Sequence, residues 1–158
     1  MGMLTRGKII DGLITLCVLV ATAYVLSSIS GYYYEKTNGP LAQELRQQLL
    51  LFPLLHGDTD DDPIEILNHG GPVAAIRNLQ STHAVAEIAE HYRSQMEARG
   101  WKLIESGERA NGDRSFKYCQ NATGFNFSVW KYAGKTGYRI ALFRNGKNSG
   151  VDYCSDKP

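Results

Sequence analysis

Hydrophobic and polar residues follow three different patterns along this chain, and the first is an uncharged apolar run. Residues 12–29 carry no charged side chain. At a rise of about 1.5 Å per residue, a helix over this run would span roughly 27 Å, close to the ~30 Å hydrocarbon core of a bilayer. The run therefore predicts a transmembrane helix over residues 12–30, in contact with lipid.

Basic and aromatic residues on either side of the run predict its orientation. Arg6 and Lys8 precede it, and three consecutive tyrosines follow at positions 32–34. Because basic residues stay on the cytoplasmic side, residues 1–11 are expected in the cytoplasm and the large C-terminal part outside it. We therefore expect a single-pass protein of a bacterial inner membrane, with a periplasmic domain over residues 41–158.

A cleavable signal peptide is the main alternative to this signal-anchor. Ala21-Thr22-Ala23 has the small-x-small pattern of a cleavage site. The apolar run continues to Ile29, however, which is longer than most signal-peptide cores. An uncleaved anchor is therefore the preferred interpretation.

Helix-breaking residues follow the apolar run, and a leucine-rich segment comes after them. Residues 31–40 end in Asn-Gly-Pro and predict a polar tether. Residues 41–52 then place leucines and a phenylalanine at helical spacing, with Pro40 compatible with the first turn and Pro53 at the end. The leucines form a stripe too wide for a solvated helix, so this helix is expected to pack on the domain, the membrane or a partner.

The second pattern is a strongly amphipathic helix over residues 83–99. Ser81 or Thr82 can cap its start, and Gly100 suits the position after its last turn. Its apolar residues fall on one face and predict the side that is buried. They are Val85, Ile88, Ala89, Tyr92 and Met96.

The third pattern begins after Gly100, where the period changes from 3.6 to 2 and indicates β-strands. Short connections with turn residues favour an antiparallel meander, and residues 64–67 and 73–79 are expected to extend it. The predicted fold class is α+β, with one main helix packed on a four-stranded or larger antiparallel sheet. The four predicted strands cover residues 102–106, 115–120, 125–132 and 138–144.

Cysteine usage agrees with an exported domain. Apart from Cys17 in the apolar run, the chain has only Cys119 and Cys154. A disulfide between them would close a loop of about 35 residues, stabilise the fold by roughly 3–4 kcal/mol and hold the C-terminal tail. The alternative is two free thiols in a cytosolic domain.

Three histidine and glutamate side chains have residue types found in zinc sites. His83, Glu87 and His91 share one face of the predicted helix. Their order differs from the H-E-x-x-H zinc motif, and the face lies opposite the apolar one. We interpret it as a solvated face, and no metal or cofactor is expected.

Acidic residues precede the first predicted strand. Asp58, Asp60 and Asp62 alternate as in calcium loops, but Pro63 stands where a turn glycine is needed. A loose cation site is the alternative to a solvated loop. The chain has no G-x-S-x-G elbow and no Gly-rich phosphate loop, so no catalytic residue is predicted.

Basic residues accumulate in the sheet region, beside exposed aromatic residues. Between residues 99 and 147 the chain has ten Lys or Arg and three Asp or Glu. This mixture can bind polyanions or an acidic protein surface, and it can equally be an ordinary solvated face that pairs with the acidic loop. Nucleic acid is not expected beyond the membrane. The candidate binding residues are Lys117, Trp130, Lys131, Tyr132 and Arg139.

The leading functional hypothesis is a non-catalytic envelope protein whose domain binds a protein partner near the membrane. Such a protein would be an accessory subunit or an immunity-type inhibitor. The first alternative is a polyanion or ligand sensor that uses the basic and aromatic sheet face. The second is a hydrolase with an unrecognised site.

Overall fold

A computed structural model describes residues 6–68, 71–132 and 134–146 together with Cys154. Two compact units are distinguished, Met1–Lys36 and Thr37–Pro158, and the second contains the sheet. Within the part of the chain that the structure describes, no helix is long and apolar enough to cross a membrane. The transmembrane helix predicted over residues 12–30 is therefore not confirmed.

The first helix, α1, runs from Arg6 to Leu50 and contains Pro40. Residues 31–40, expected to form an irregular tether, are therefore helical. A proline inside a helix costs about 3 kcal/mol. The turns that follow it bury apolar side chains, among them Leu45 and Leu49, and this burial offsets that cost.

The second helix, α2, runs from Val85 to Ala98 and matches the predicted amphipathic helix. Gly100 has φ +74°, and the backbone N–H of Trp101 donates to the Met96 carbonyl at 2.9 Å, which closes the helix in a Schellman motif. The predicted N-terminal cap is wrong, because the N-cap residue is Ala84 and no side chain caps it. Ser81 ends a strand instead, and its hydroxyl accepts from the His83 N–H at 3.0 Å.

In the described residues, seven strands form one antiparallel sheet, which confirms the α+β class. The strands are β1 Thr59–Asp60, β2 Glu65–Asn68, β3 Pro72–Ser81, β4 Lys102–Glu108, β5 Arg114–Gln120, β6 Thr123–Tyr132 and β7 Lys135–Asn145. Their spatial order is β1-β3-β7-β6-β5-β4, and β2 also pairs with β3. The C-terminal meander predicted from the alternation is present, and its β5–β6 turn has positive φ at Asn121 and Ala122.

One face of the sheet, here called the inner face, is packed under α2 and the last turns of α1. The ring of Phe52 stacks on Phe125 at 4.9 Å between centroids, and Glu44 pairs with Arg144 at 3.2 Å. Four of the five residues predicted to form the buried side of α2 are buried, and Val85 packs at the margin. Residues of alternate parity face the opposite side, and that side positions the candidate site.

Candidate functional site

The outer face of the sheet lies opposite α2 and consists largely of small or polar side chains. Cross-strand pairing between β3, β7, β6, β5 and β4 arranges these residues in four rows. The first row is Gln80, Gly137 and Trp130; the second is Asn78, Arg139, Ser128, Ser115 and Gly107; the third is Ile76, Ala141, Asn126, Lys117 and Glu105; the fourth is Ala74, Phe143, Gly124, Cys119 and Lys102.

Four of the five predicted binding residues share this outer face. Lys117, Trp130 and Arg139 lie in the rows, and Tyr132 follows Trp130 by two positions with 76% of its surface exposed. Lys131 is exposed on the inner side, because successive residues of a strand point to opposite faces. The predicted group is thus a constellation of four residues, without Lys131.

Aromatic rings cover glycines at both ends of this face. A Cβ atom on Gly137 would lie 2.9 Å from Nε1 of Trp130, so the indole lies directly against the glycine backbone. At the other end, a Cβ atom on Gly124 would overlap the ring of Phe143. Each pair is directly opposite across β6 and β7, and the glycines therefore fix where the aromatic rings rest.

Between these two ends, small polar residues form the floor of a shallow groove of about 310 Å³. Ser115, Asn126 and Ser128 lie on the floor, with Lys117 and Glu105 at one side. These short side chains leave the strand surface accessible to a docking group. The groove is open and polar, which suits recognition of a surface better than enclosure of a substrate.

Arg139 is the cation of the second row. Its Nε donates to Oδ1 of Asn78 at 2.8 Å, and the amide holds the guanidinium across the sheet without neutralising it. Because Asn78 is uncharged, the guanidinium adds positive potential to the exposed face. A partner with a carboxylate at this position would gain a charge-assisted hydrogen bond.

Asp58 and Asp60 of the acidic loop bind residues of the inner face, and the loop does not assemble into a cation site. Asp60 accepts two hydrogen bonds from Arg77, at 2.6 and 2.9 Å, and Arg77 is buried. The hydrogen bond from Arg77 holds the pKa of Asp60 below its usual value. Among the described residues, no group of three His, Cys, Asp or Glu side chains is placed to hold a metal ion.

Asp58 also binds the core, through a tyrosine. The Tyr138 hydroxyl donates to Asp58 Oδ2 at 2.5 Å, and the Leu55 N–H donates to the same oxygen at 3.2 Å. The Tyr92 hydroxyl lies 3.5 Å from that of Tyr138. Burial raises the pKa of Tyr92 to about 12 and also raises the pKa of Tyr138, so both tyrosines are neutral donors at physiological pH. Through these contacts, Asp58 fixes the loop to the core.

His83 and His91 are half-buried beside the loop that follows α1, whereas Glu87 is exposed, so the face predicted to be solvated is partly covered by that loop. His83 Nε2 donates to the His56 carbonyl at 3.0 Å, and His83 Nδ1 lies 2.8 Å from Glu87. His91 Nε2 lies 3.3 Å from the Pro53 carbonyl. Both partners of His83 are acceptors, and only the doubly protonated imidazolium satisfies both.

The free energy of unfolding is expected to fall as His83 loses a proton. His83 with its two acceptors, the His56 carbonyl and Glu87, is here called the His83 clamp. The hydrogen bond to the His56 carbonyl, together with Glu87 and Asp58, raises the pKa of His83 above 6.5. The clamp therefore stabilises the fold fully below pH 6.5 and loses its contribution as the pH rises through the raised value. In chemical denaturation across this range, the stability difference between wild type and His83→Gln should shrink as pH rises. A difference that stays constant with pH would contradict the clamp.

No family model, no curated protein and no solved structure matches this chain.

Several residues that shape the candidate site could not be found by sequence reasoning. Gly137 and Gln80 flank Trp130 only through strand pairing, and Gln80 is remote from it in sequence. On the opposite, inner face, Arg77 did leave a signal in the sequence, because it interrupts the apolar alternation of Val73, Ala75 and Leu79. A buried arginine in such a series requires a carboxylate partner.

Proposed function

We propose that this chain is a non-catalytic binding protein of the cell envelope, whose domain binds a protein partner through the outer sheet face. The observation that carries the proposal is the composition of that face. A groove with a floor of small polar side chains lies on this face, and Arg139 pairs across the strands with Ser128 of that floor. Trp130 follows Ser128 by two positions on the same face of β6, and Tyr132 is exposed at the end of that strand. Aromatic and arginine side chains are the residue types that dominate binding energy at protein interfaces.

The edges of the sheet favour binding through the face. At one edge, β4 carries a bulge between Leu103 and Glu105 and exposes charged side chains. At the other edge, β1 and β2 are short strands on the single partner β3. Bulges, charges and short edge strands all oppose the addition of another strand.

Charge favours a partner with an acidic surface. Lys117 and Arg139 lie in adjacent rows of the outer face, with Glu105 at its margin. Complementary charge speeds the encounter and fixes orientation, while the aromatic contacts supply most of the affinity. Binding to a partner should therefore persist at moderate salt, although salt should slow the association.

The membrane part of the proposal is supported by α1. From Ile14 to Ile29 its large apolar side chains are exposed, for example Leu19 at 62% and Leu26 at 63%. Exposed apolar surface of this extent is costly in water and calls for burial in lipid or against another helix. We propose that residues 12–30 anchor the chain in a bacterial inner membrane, with the domain on the periplasmic side.

A pair of matched charge reversals tests the partner interface. In Arg139→Glu the outer face loses a central cation, and in Lys131→Glu the same charge change falls on the inner side of β6. Capture of partners by the detergent-solubilised full chain should fall at least about tenfold for Arg139→Glu and for Trp130→Ala, and remain unchanged for Lys131→Glu. Equal capture by all variants would contradict the proposed interface.

The polyanion alternative is favoured by one observation, the proximity of Lys117 and Arg139 to the groove. It makes a different prediction about salt. Binding to a polyanion should weaken steeply between low and moderate ionic strength, whereas a protein interface anchored by Trp130 should change little in affinity. A titration of the captured complex with salt therefore separates the two functions.

A further inference from the structure

Near the turn between β6 and β7, the outer face contains a second depression, of about 280 Å³. We propose that this depression, here called the hairpin slot, binds one ring of a neutral sugar. The slot is lined by Asp61, Gln80, Trp130, Tyr132, Lys135 and Gly137.

The floor and wall of the hairpin slot are aromatic. The Trp130 indole lies against Gly137, so that one side of the ring is packed on the backbone and the other is directed away from the sheet. Tyr132 stands beside it on the same strand and is 76% exposed. Flat aromatic faces attract the slightly positive C–H groups of a sugar ring, because the π face carries negative charge.

Polar side chains line the opposite side in a connected series. The Gln80 amide N–H donates to Asp61 Oδ1, and Lys135 Nζ donates to Gln80 Oε1 at 3.3 Å. The series offers a carboxylate and an amide oxygen as acceptors, and an amide and an ammonium as donors. Hydroxyl groups both donate and accept, so they fit such a mixed edge.

Charge favours a neutral ligand over the other molecules that stack on aromatic rings. The carboxylate of Asp61 and the ammonium of Lys135 balance each other across Gln80. An anionic ligand would face Asp61, and a quaternary ammonium ligand would face Lys135. A volume of about 280 Å³ lies near the lower limit for ligand pockets and suits a single sugar ring.

Sugar binding can be measured by ligand-observed saturation-transfer NMR. The full chain is purified in a detergent without a sugar headgroup, and the probes are chitotriose and cellotriose at millimolar concentration. We expect transfer to at least one probe, with a dissociation constant of about 1 mM. Signals from the C–H face of the ring should be the strongest, because that face stacks on Trp130.

Substitutions inside and outside the hairpin slot test whether the sugar binds there. Trp130→Ala and Gln80→Ala should each weaken binding about tenfold, whereas Lys131→Ala, on the inner side of β6 and outside the slot, should not change it. Gln80→Ala keeps the test valid if Trp130→Ala fails to fold. The absence of transfer to both sugars, equal binding by the slot variants, or transfer to adenosine monophosphate alone would overturn the proposal. Loss of partner capture in Arg139→Glu with sugar binding intact would support a slot that acts independently of the partner interface.

Discussion

Replacement of Tyr92 by alanine is expected to lower the free energy of unfolding by about 3–5 kcal/mol. Tyr92 is fully buried in α2, and its ring centroid lies 4.8 Å from that of Phe127 and 5.6 Å from that of Tyr138. Truncation would leave a cavity between the helix and the inner face, and these rigid rings cannot collapse to fill it. Urea denaturation followed by circular dichroism measures the loss.

Tyr92→Phe is the matched control, since it keeps the ring and removes only the hydroxyl. That hydroxyl makes a long hydrogen bond of 3.5 Å to Tyr138, so the control should lose less than about 1.5 kcal/mol. Burial raises the pKa of Tyr92 from 10.0 to about 12, and the stability that its neutral form provides is lost as the pH rises through this interval. The alkaline decline should therefore be shallower in Tyr92→Phe. A loss below about 1 kcal/mol for Tyr92→Ala would contradict the packing of α2 on the sheet.

The sheet and its main helix were predictable because local signals agree there with tertiary structure. In β6, the alternation of Phe125 and Phe127 with Asn126 and Ser128 separates the inner from the outer face. Glycine and asparagine mark the turns between strands, and Gly100 marks the end of α2. Where period, turn chemistry and caps point to the same structure, one sequence is enough to define an element.

Local sequence signals predicted the wrong helix boundaries at two places where tertiary packing determines the structure. Gly39 and Pro40 predict a break, yet the helix continues through them because the following leucines are buried under the sheet. Ser81 and Thr82 have the composition of a cap, yet β3 extends to Ser81 and delays the helix to Val85. Burial and strand pairing outweigh the local propensities in each case.

In the candidate site, some residues could be predicted from the sequence, whereas others are brought together only by strand pairing. Strand alternation places Trp130 and Tyr132 on one face of β6 without knowledge of the fold. Arg139 was also predicted from the sequence, whereas Gln80 and Gly137 are added only by the register across three strands, which sequence alone does not define. The binding face was therefore predictable in its residue types, and the slot within it was not.

Removal of the disulfide between Cys119 and Cys154 is expected to have an effect of comparable size. The bond is present in the structure and joins residues 35 positions apart. On the chain-entropy model, opening a loop of this length destabilises the fold by roughly 3–4 kcal/mol. The double variant Cys119→Ala/Cys154→Ala should show this loss in chemical denaturation, and dithiothreitol should lower wild type to the same level.

Two comparisons make the disulfide prediction specific. Dithiothreitol should leave the double variant unchanged, because Cys17 is a free cysteine outside the loop. Cys119 lies in the row of Phe143 and Gly124, three rows from Trp130, so the folded fraction of the double variant should still bind at the Trp130 end. If reduction left wild-type stability intact, the domain would not depend on an oxidising compartment, and the proposed periplasmic location would lose its support from cysteine chemistry.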